Sequence, residues 1–195
     1  MAYSIHTLPK LDQADTTFQE FSRRLKNLRL QSLKADPDKW VSIYDSEVNQ
    51  PDDFWWNRLQ DSQAIHHILV KNTSESDGPD SKSVLLAGEW VGFVVIIVPD
   101  AENKSPEYLM NALYIDTQAR GIGLGKRMVR QVIDTVRKHE TKAGQAPPFC
   151  TASVRHGNDS ALALYRKLGF RVVNADGIAE KEGRKYRTIE IRYDI

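Results

Sequence analysis

The stretch IDTQARGIGLGKRMVRQVI, residues 115–133, packs three glycines into five positions and runs into an amphipathic segment with Val129, Val132, Ile133 and Val136 in helical register. Ordered glycine costs backbone entropy, so three together need a reason. The residues before them, YLMNALYI (108–115), read as a strand. Strand, glycine turn and helix N-terminus together make an anion site, because free backbone N–H groups and the helix dipole point at whatever occupies the turn.

Three phosphate-binding patterns compete for this turn. The Walker loop needs glycine five residues before Gly125-Lys126 and a hydroxyl residue after; Arg120 and Arg127 stand there instead. The dinucleotide fingerprint fits Gly121-Ile122-Gly123 but requires a third glycine where Lys126 stands. What fits is Gln118-x-x-Gly121-x-Gly123, with Gly125 two positions on.

Around this unit the chain alternates strands and helices. YSIHTL (3–8) is a short strand. A helix is expected from Asp12, with Ala14, Phe18, Phe21, Leu25 and Leu28 on one stripe, ending near Pro37. NQPDDFWWNRL suits a second, short helix, with Pro51 at its first position and Asp52 and Asp53 complementing the dipole. AIHHILV (64–70) reads as a strand, and 71–83 as a flexible insert of turn formers and charge. Residues 84–98 read as one or two strands, with a hairpin around Gly88-Glu89. PFCTASVR (148–155) is a strand, NDSALALYRKLGF a helix stopped by Gly169, and RKYRTIEIRYDI a closing strand. With no repeat and no dividing linker, 1–195 reads as a single α/β domain.

Of the 195 residues, 41% are apolar and 27% charged, and the net charge is +1, which argues against a general nucleic-acid binder. The longest apolar run, 91–99, is too short to span a bilayer, so no membrane partner is expected. One cysteine, Cys150, precludes an internal disulfide and points to a reducing compartment, the cytoplasm. In a buried strand without an adjacent base it reads as a small core residue, not a nucleophile. The five histidines lack ligand spacing, so no metal is expected.

The glycine motif, together with VRHGNDSALALYRKLGF (154–170), resembles the GNAT superfamily of acetyl-CoA-dependent N-acetyltransferases. Its loop pattern is Q/R-x-x-G-x-G/A after a strand L-x-V-x-P; here the strand is Leu113-Tyr114-Ile115-Asp116, with Thr117 in place of proline. The downstream stretch looks like the family's V-x-x-x-N-x-x-A-x-x-L-Y-x-x-x-G-F. The close resemblance covers roughly residues 107–170. Each piece also has a plain structural reading: a packing turn, Asn158 as an N-cap, Tyr165 in the core, Gly169 as a C-terminal cap.

The resemblance implies a GNAT-type fold, α/β (α+β), with a mixed, mostly antiparallel central sheet flanked by helices and a splayed strand pair holding coenzyme A. The co-substrate would be acetyl-CoA, with no metal. Backbone groups at Ile115 and Thr117 would pair with the pantetheine arm. The N–H groups of Arg120, Gly121, Ile122, Gly123, Leu124 and Gly125 would hold the pyrophosphate, with Lys126 beside it, and Asn158 would bond the pantetheine. Tyr165 matches the tyrosine that acts as general acid near the sulfur. The family's common glutamate base falls at Leu109; Glu107 is the nearby candidate, with Glu89, Asp116 and His156 behind it. The implied reaction is direct attack of a primary amine, from a small molecule or a peptide, in a ternary complex. The alternative is an acyl-CoA-binding module of the same fold without activity. Family members are often dimers, so a homodimer is a further implication. The acceptor pocket maps onto 39–59, where Trp40, Tyr44, Trp55 and Trp56 either line the pocket beside Asp45, Glu47, Asp52 and Asp53, suiting a cationic amine, or fill the core.

Overall fold

In the computed structural model residues 2–72, 80–99, 105–139 and 147–195 are described. The chain opens with β1 (Tyr3–Thr7) and α1 (Thr16–Ala35). Helix α1 starts at Thr16 because the Asp15 carboxylate caps it, accepting the Thr17 N–H, so Ala14 lies before the helix. Its stripe of Phe18, Phe21, Leu25 and Leu28 is buried as the spacing required. Two short helices follow, α2 (Tyr44–Val48) and α3 (Asp52–Gln60), then β2 (Ala64–Lys71).

Residues 81–87 form helix α4 (Ser81–Ala87), where the sequence suggested strand from 84 and a hairpin at Gly88. The Asp80 side chain caps α4, and only Val84 and Leu85 of its apolar run are buried. A four-residue apolar run is compatible with either period, and the cap decides it. Of the expected insert 71–83, Lys71 belongs to β2 and Ser81–Ser83 to α4, while 73–79 lie outside the described residues.

The rest comprises β3 (Glu89–Ile97), β4 (Glu107–Ile115), α5 (Leu124–Lys138), β5 (Phe149–Arg155), α6 (Asp159–Lys167), β6 (Arg171–Lys181) and β7 (Arg184–Asp194). Strand β6 has no counterpart in the sequence reading, because it is exposed along nearly its whole length and carries no alternation.

The seven strands form one sheet, ordered β1-β2-β3-β4-β5-β7-β6. All its pairs are antiparallel except β4–β5. This is the mixed, mostly antiparallel sheet that the resemblance implied. One apolar core lies under α5, with Met128, Val129, Val132 and Val136 against β4 and β5 residues such as Met110 and Cys150. A second lies under α1, where Phe18, Phe21 and Leu25 pack with Phe93 and Tyr114.

Candidate active site

The parallel pair is the feature that makes a site. β4 and β5 are in register only at Glu107–Leu109 against Phe149–Thr151. Beyond that β4 stays bonded to β3 as far as Ile115, and β5 to β7 as far as Arg155. The strands therefore splay, leaving unpaired peptide edges that face each other across a gap. A bulge contributes: between Asn111 and Tyr114, β4 has one residue more than β3, and Ala112 takes φ 56°, a left-handed conformation that side chains avoid.

The gap opens into a cleft of about 980 Å³ that runs from the glycine turn to the α1 face of β2–β4. At the turn, Gly121 and Gly123 take φ 84° and 85°, and nothing lies within 4 Å of where a Cβ would project from either. Conformation thus demands glycine there, and the space beside the turn is open. Gly125 has another reason: a Cβ there would stand 3.2 Å from Leu164 Cδ2, so this glycine lets α5 approach α6. The helix N–H nearest the turn with a backbone acceptor is that of Arg127, bonded to the Gly123 carbonyl at 3.2 Å. The Arg120 N–H donates to the Thr117 carbonyl at 3.4 Å, whereas those of Gly121 to Lys126 have no backbone acceptor among the described residues and are the free donors of a helix start. Open space, left-handed glycines and unpaired donors fit a pyrophosphate.

Of the sequence-derived site residues, Ile115, Arg120, Gly121, Gly123, Leu124, Gly125, Lys126, Asn158 and Tyr165 all line the cleft. Thr117 and Ile122 do not; Thr117 sits in a single 3₁₀ turn and Ile122 is 63% exposed. Arg120 is turned inward, donating to the Ile115 carbonyl at 2.8 Å and pairing with Asp36. Asn158 caps α6, its Oδ1 accepting the Ala161 N–H, while its Nδ2 has no acceptor among the described residues. Cap and ligand donor are thus compatible in one side chain.

Tyr165 is 6% exposed and packs against Phe170 with ring centroids 5.4 Å apart. Burial pushes its phenol well above the usual range, so it keeps its proton at neutral pH. Cys150, fully buried, has its thiol pushed up to about 12, chiefly by burial, in keeping with a core residue. Glu107 lies at the closed end of the splay, outside the cleft, where its carboxylate accepts a hydrogen bond from Thr151 Oγ1 at 2.6 Å. Leu109, at the position where a glutamate would be usual, does line the cleft and is 39% exposed.

Of the four aromatic residues singled out for the acceptor pocket, Trp40 lines the cleft, while Trp55 is a fully buried core residue. Tyr44 and Trp56 are outside the lining. Among the lining residues that the sequence reading did not single out are Arg29, Arg58, His66 and Tyr114. Arg29 and Arg58 converge on the buried Glu47 carboxylate, with N–O distances of 2.9 to 3.1 Å. Glu47 is held at about 2: burial opposes the charge, but bonds from both guanidiniums outweigh it. His66 is lowered to about 4, chiefly by burial and then by Lys10, and stands uncharged. Histidines spread over β2 were visible, but nothing in one-dimensional spacing shows which face meets a cleft.

Among the described residues no cluster of histidine, cysteine and acid side chains could hold a metal, and no helix is long and apolar enough to cross a membrane.

The family model for the acetyltransferase (GNAT) family matches residues 40–170. Among curated proteins, the peptidyl-lysine N-acetyltransferase YjaB of Salmonella typhimurium is 29% identical over 169 residues, covering 86% of this chain and 97% of that protein. Among solved structures, a GNAT-family acetyltransferase from Streptococcus pneumoniae matches with a TM-score of 0.69 at 15% identity, covering 100% of both chains. The Salmonella typhimurium protein yncA, solved with its cofactor acetyl-CoA, matches at 0.61 and 15% identity, covering 100% of this chain and 94% of that one. At such identities these structures speak for the fold alone.

Proposed function

The chain belongs to the GNAT acetyltransferase family, and from that premise we propose that it moves the acetyl group of acetyl-CoA to a primary amine by direct attack in a ternary complex. The observation that carries this reading is the splay of β4 and β5, which presents peptide groups to a strand-like pantetheine arm and ends at a turn of free N–H donors. The acetyl-CoA site of this reading comprises Ile115, Arg120, the N–H groups of 121–125, Lys126 and Asn158, with Thr117 and Ile122 contributing backbone only.

In this reading the neutral amine attacks the thioester carbonyl carbon, and a backbone N–H near Ile115 stabilises the developing oxyanion. The carbon–sulfur bond breaks, and the thiolate takes the proton of Tyr165, a phenol kept protonated by burial. The amine sheds its own proton to water at the acceptor end of the cleft. Glu107 lies outside the cleft and takes no part in this route. The reading of an inactive acyl-CoA-binding module draws on Leu109 standing where an acid is usual.

Calorimetric titration with acetyl-CoA, using ATP and NAD as controls, followed by thiol release with a panel of amines, tests the proposal. Binding of acetyl-CoA alone with amine-dependent thiol release is the expected result. Binding without release for every amine leaves the module. No binding to the folded protein overturns the reading of the turn.

A further inference from the structure

The acceptor end of the cleft is basic, although the whole chain carries a net charge of only +1. Eight lysine and arginine side chains line the cleft against two aspartates, and one of those, Asp36, is already paired with Arg120. The loop end accounts for Arg120, Lys126 and Lys167. At the other end the Arg29–Glu47–Arg58 cluster holds two cations on one carboxylate. Lys39, Arg155 and Lys181, which also line the cleft, donate to carbonyl or hydroxyl oxygens, and none has a carboxylate partner among the described residues.

Two buried polar groups in this lining lack partners. The Arg29 side chain is 9% exposed, its Nε and Nη2 bind Glu47, and its Nη1 has no acceptor. The Tyr114 hydroxyl, on a residue 3% exposed, has no partner either. Both belong to the α1 side, where Leu25 and Phe93 also line the cleft. A buried guanidinium N–H and phenol left unbonded cost free energy unless an oxygen acceptor arrives. With the surrounding excess of positive charge, that acceptor is anionic.

We infer that the acceptor amine bears a carboxylate, which Arg29 Nη1 and the Tyr114 hydroxyl receive at the α1 end of the cleft. The inference rests on the acetyltransferase reading and names its substrate class: a free amino acid, or a peptide with an acidic residue beside its amine. It runs against the cationic amine that the acidic residues of 39–59 suggested, because Glu47 is consumed by two arginines and Asp45, Asp52 and Asp53 lie outside the lining.

Thiol release measured with amino acids against their carboxamides, and with peptides carrying Glu or Gln beside a free N-terminus, separates the two sources. The acid of one pair is expected to exceed its amide at least tenfold in kcat/KM, the scale of a hydrogen bond to a charged group. Tyr114→Phe removes only an unbonded hydroxyl, so the protein should melt no lower than the parent while that preference shrinks about tenfold. Arg29→Lys should shrink it too. Equal rates for acid and amide, or a preference for 1,5-diaminopentane, overturn the inference while leaving the acetyltransferase intact. Should no amine turn over although acetyl-CoA binds, the acetyltransferase reading fails instead. The anion site is then decided by calorimetry of the CoA-saturated protein with glutarate: saturable binding weakened in Tyr114→Phe supports it, and no binding overturns it.

Discussion

At the loop end of the cleft the lining residues come from one short stretch of chain: Ile115, Arg120, Gly121 and Gly123 to Lys126. At the α1 end they are side chains brought from four elements: Arg29 from α1, Arg58 from α3, His66 from β2 and Tyr114 from β4. Backbone donors at a helix start suit a phosphate, which is alike in every coenzyme A. Side chains on separate elements can be exchanged one by one without disturbing the fold that carries them. The division teaches that, in the proposed reading, cofactor and acceptor recognition are under separate structural control.

The sharpest way to break the α1 end is Glu47→Gln, which leaves two guanidiniums without their carboxylate. Breaking a buried pair in this way costs about 3–5 kcal/mol, to be read from urea denaturation, with the loop end's fold following it down. The pH dependence carries the same signature. Glu47 is held near 2 when folded, so its contribution is complete above about pH 4.5 and lost as pH falls toward 2. His66 and His67 are lowered to about 4, chiefly by burial; their contribution is complete above about pH 6.5 and declines as pH falls toward 4. The parent should therefore soften in two stages on acidification, and Glu47→Gln should flatten only the lower one.

Next in size is Tyr165→Phe, in the lining of the cleft. A lost general acid is worth about 100-fold in kcat, about 2.7 kcal/mol, while acetyl-CoA affinity by calorimetry stays within about twofold. Gly123→Val tests the loop end alone: a left-handed conformation costs a side chain about 1–2 kcal/mol, so acetyl-CoA affinity should fall about tenfold or more. Gly125→Ala meets only the flexible end of Leu164 and should change affinity less than about threefold. Glu107→Gln, outside the cleft, should leave kcat within about twofold; a large loss would return it to the mechanism.

The same division explains what the sequence disclosed. The loop and α6 were legible because their determinants are local: glycines at positive φ, and Asn158 three residues from the N–H it caps. The α1 end was not, since Arg29, Glu47 and Arg58 share no spacing and meet only through tertiary packing. Nor does composition separate Trp40 in the cleft from Trp55 in the core. Ala112 gives no signal of its left-handed turn, which the bulge in β4 imposes. Strand β6 was silent because a solvent-exposed strand held by one neighbour needs no apolar face.

The three-residue pairing of β4 with β5 has a mechanical consequence. The sheet is two leaves, β1 to β4 and β5 with β7 and β6, joined by a seam that is stitched at one end and open at the other. An extended molecule seated in the open seam completes the missing rungs and joins the leaves along their length. What occupies the gap then becomes a piece of the scaffold, and the protein's resistance to heat becomes a readout of how much of that molecule surrounds it.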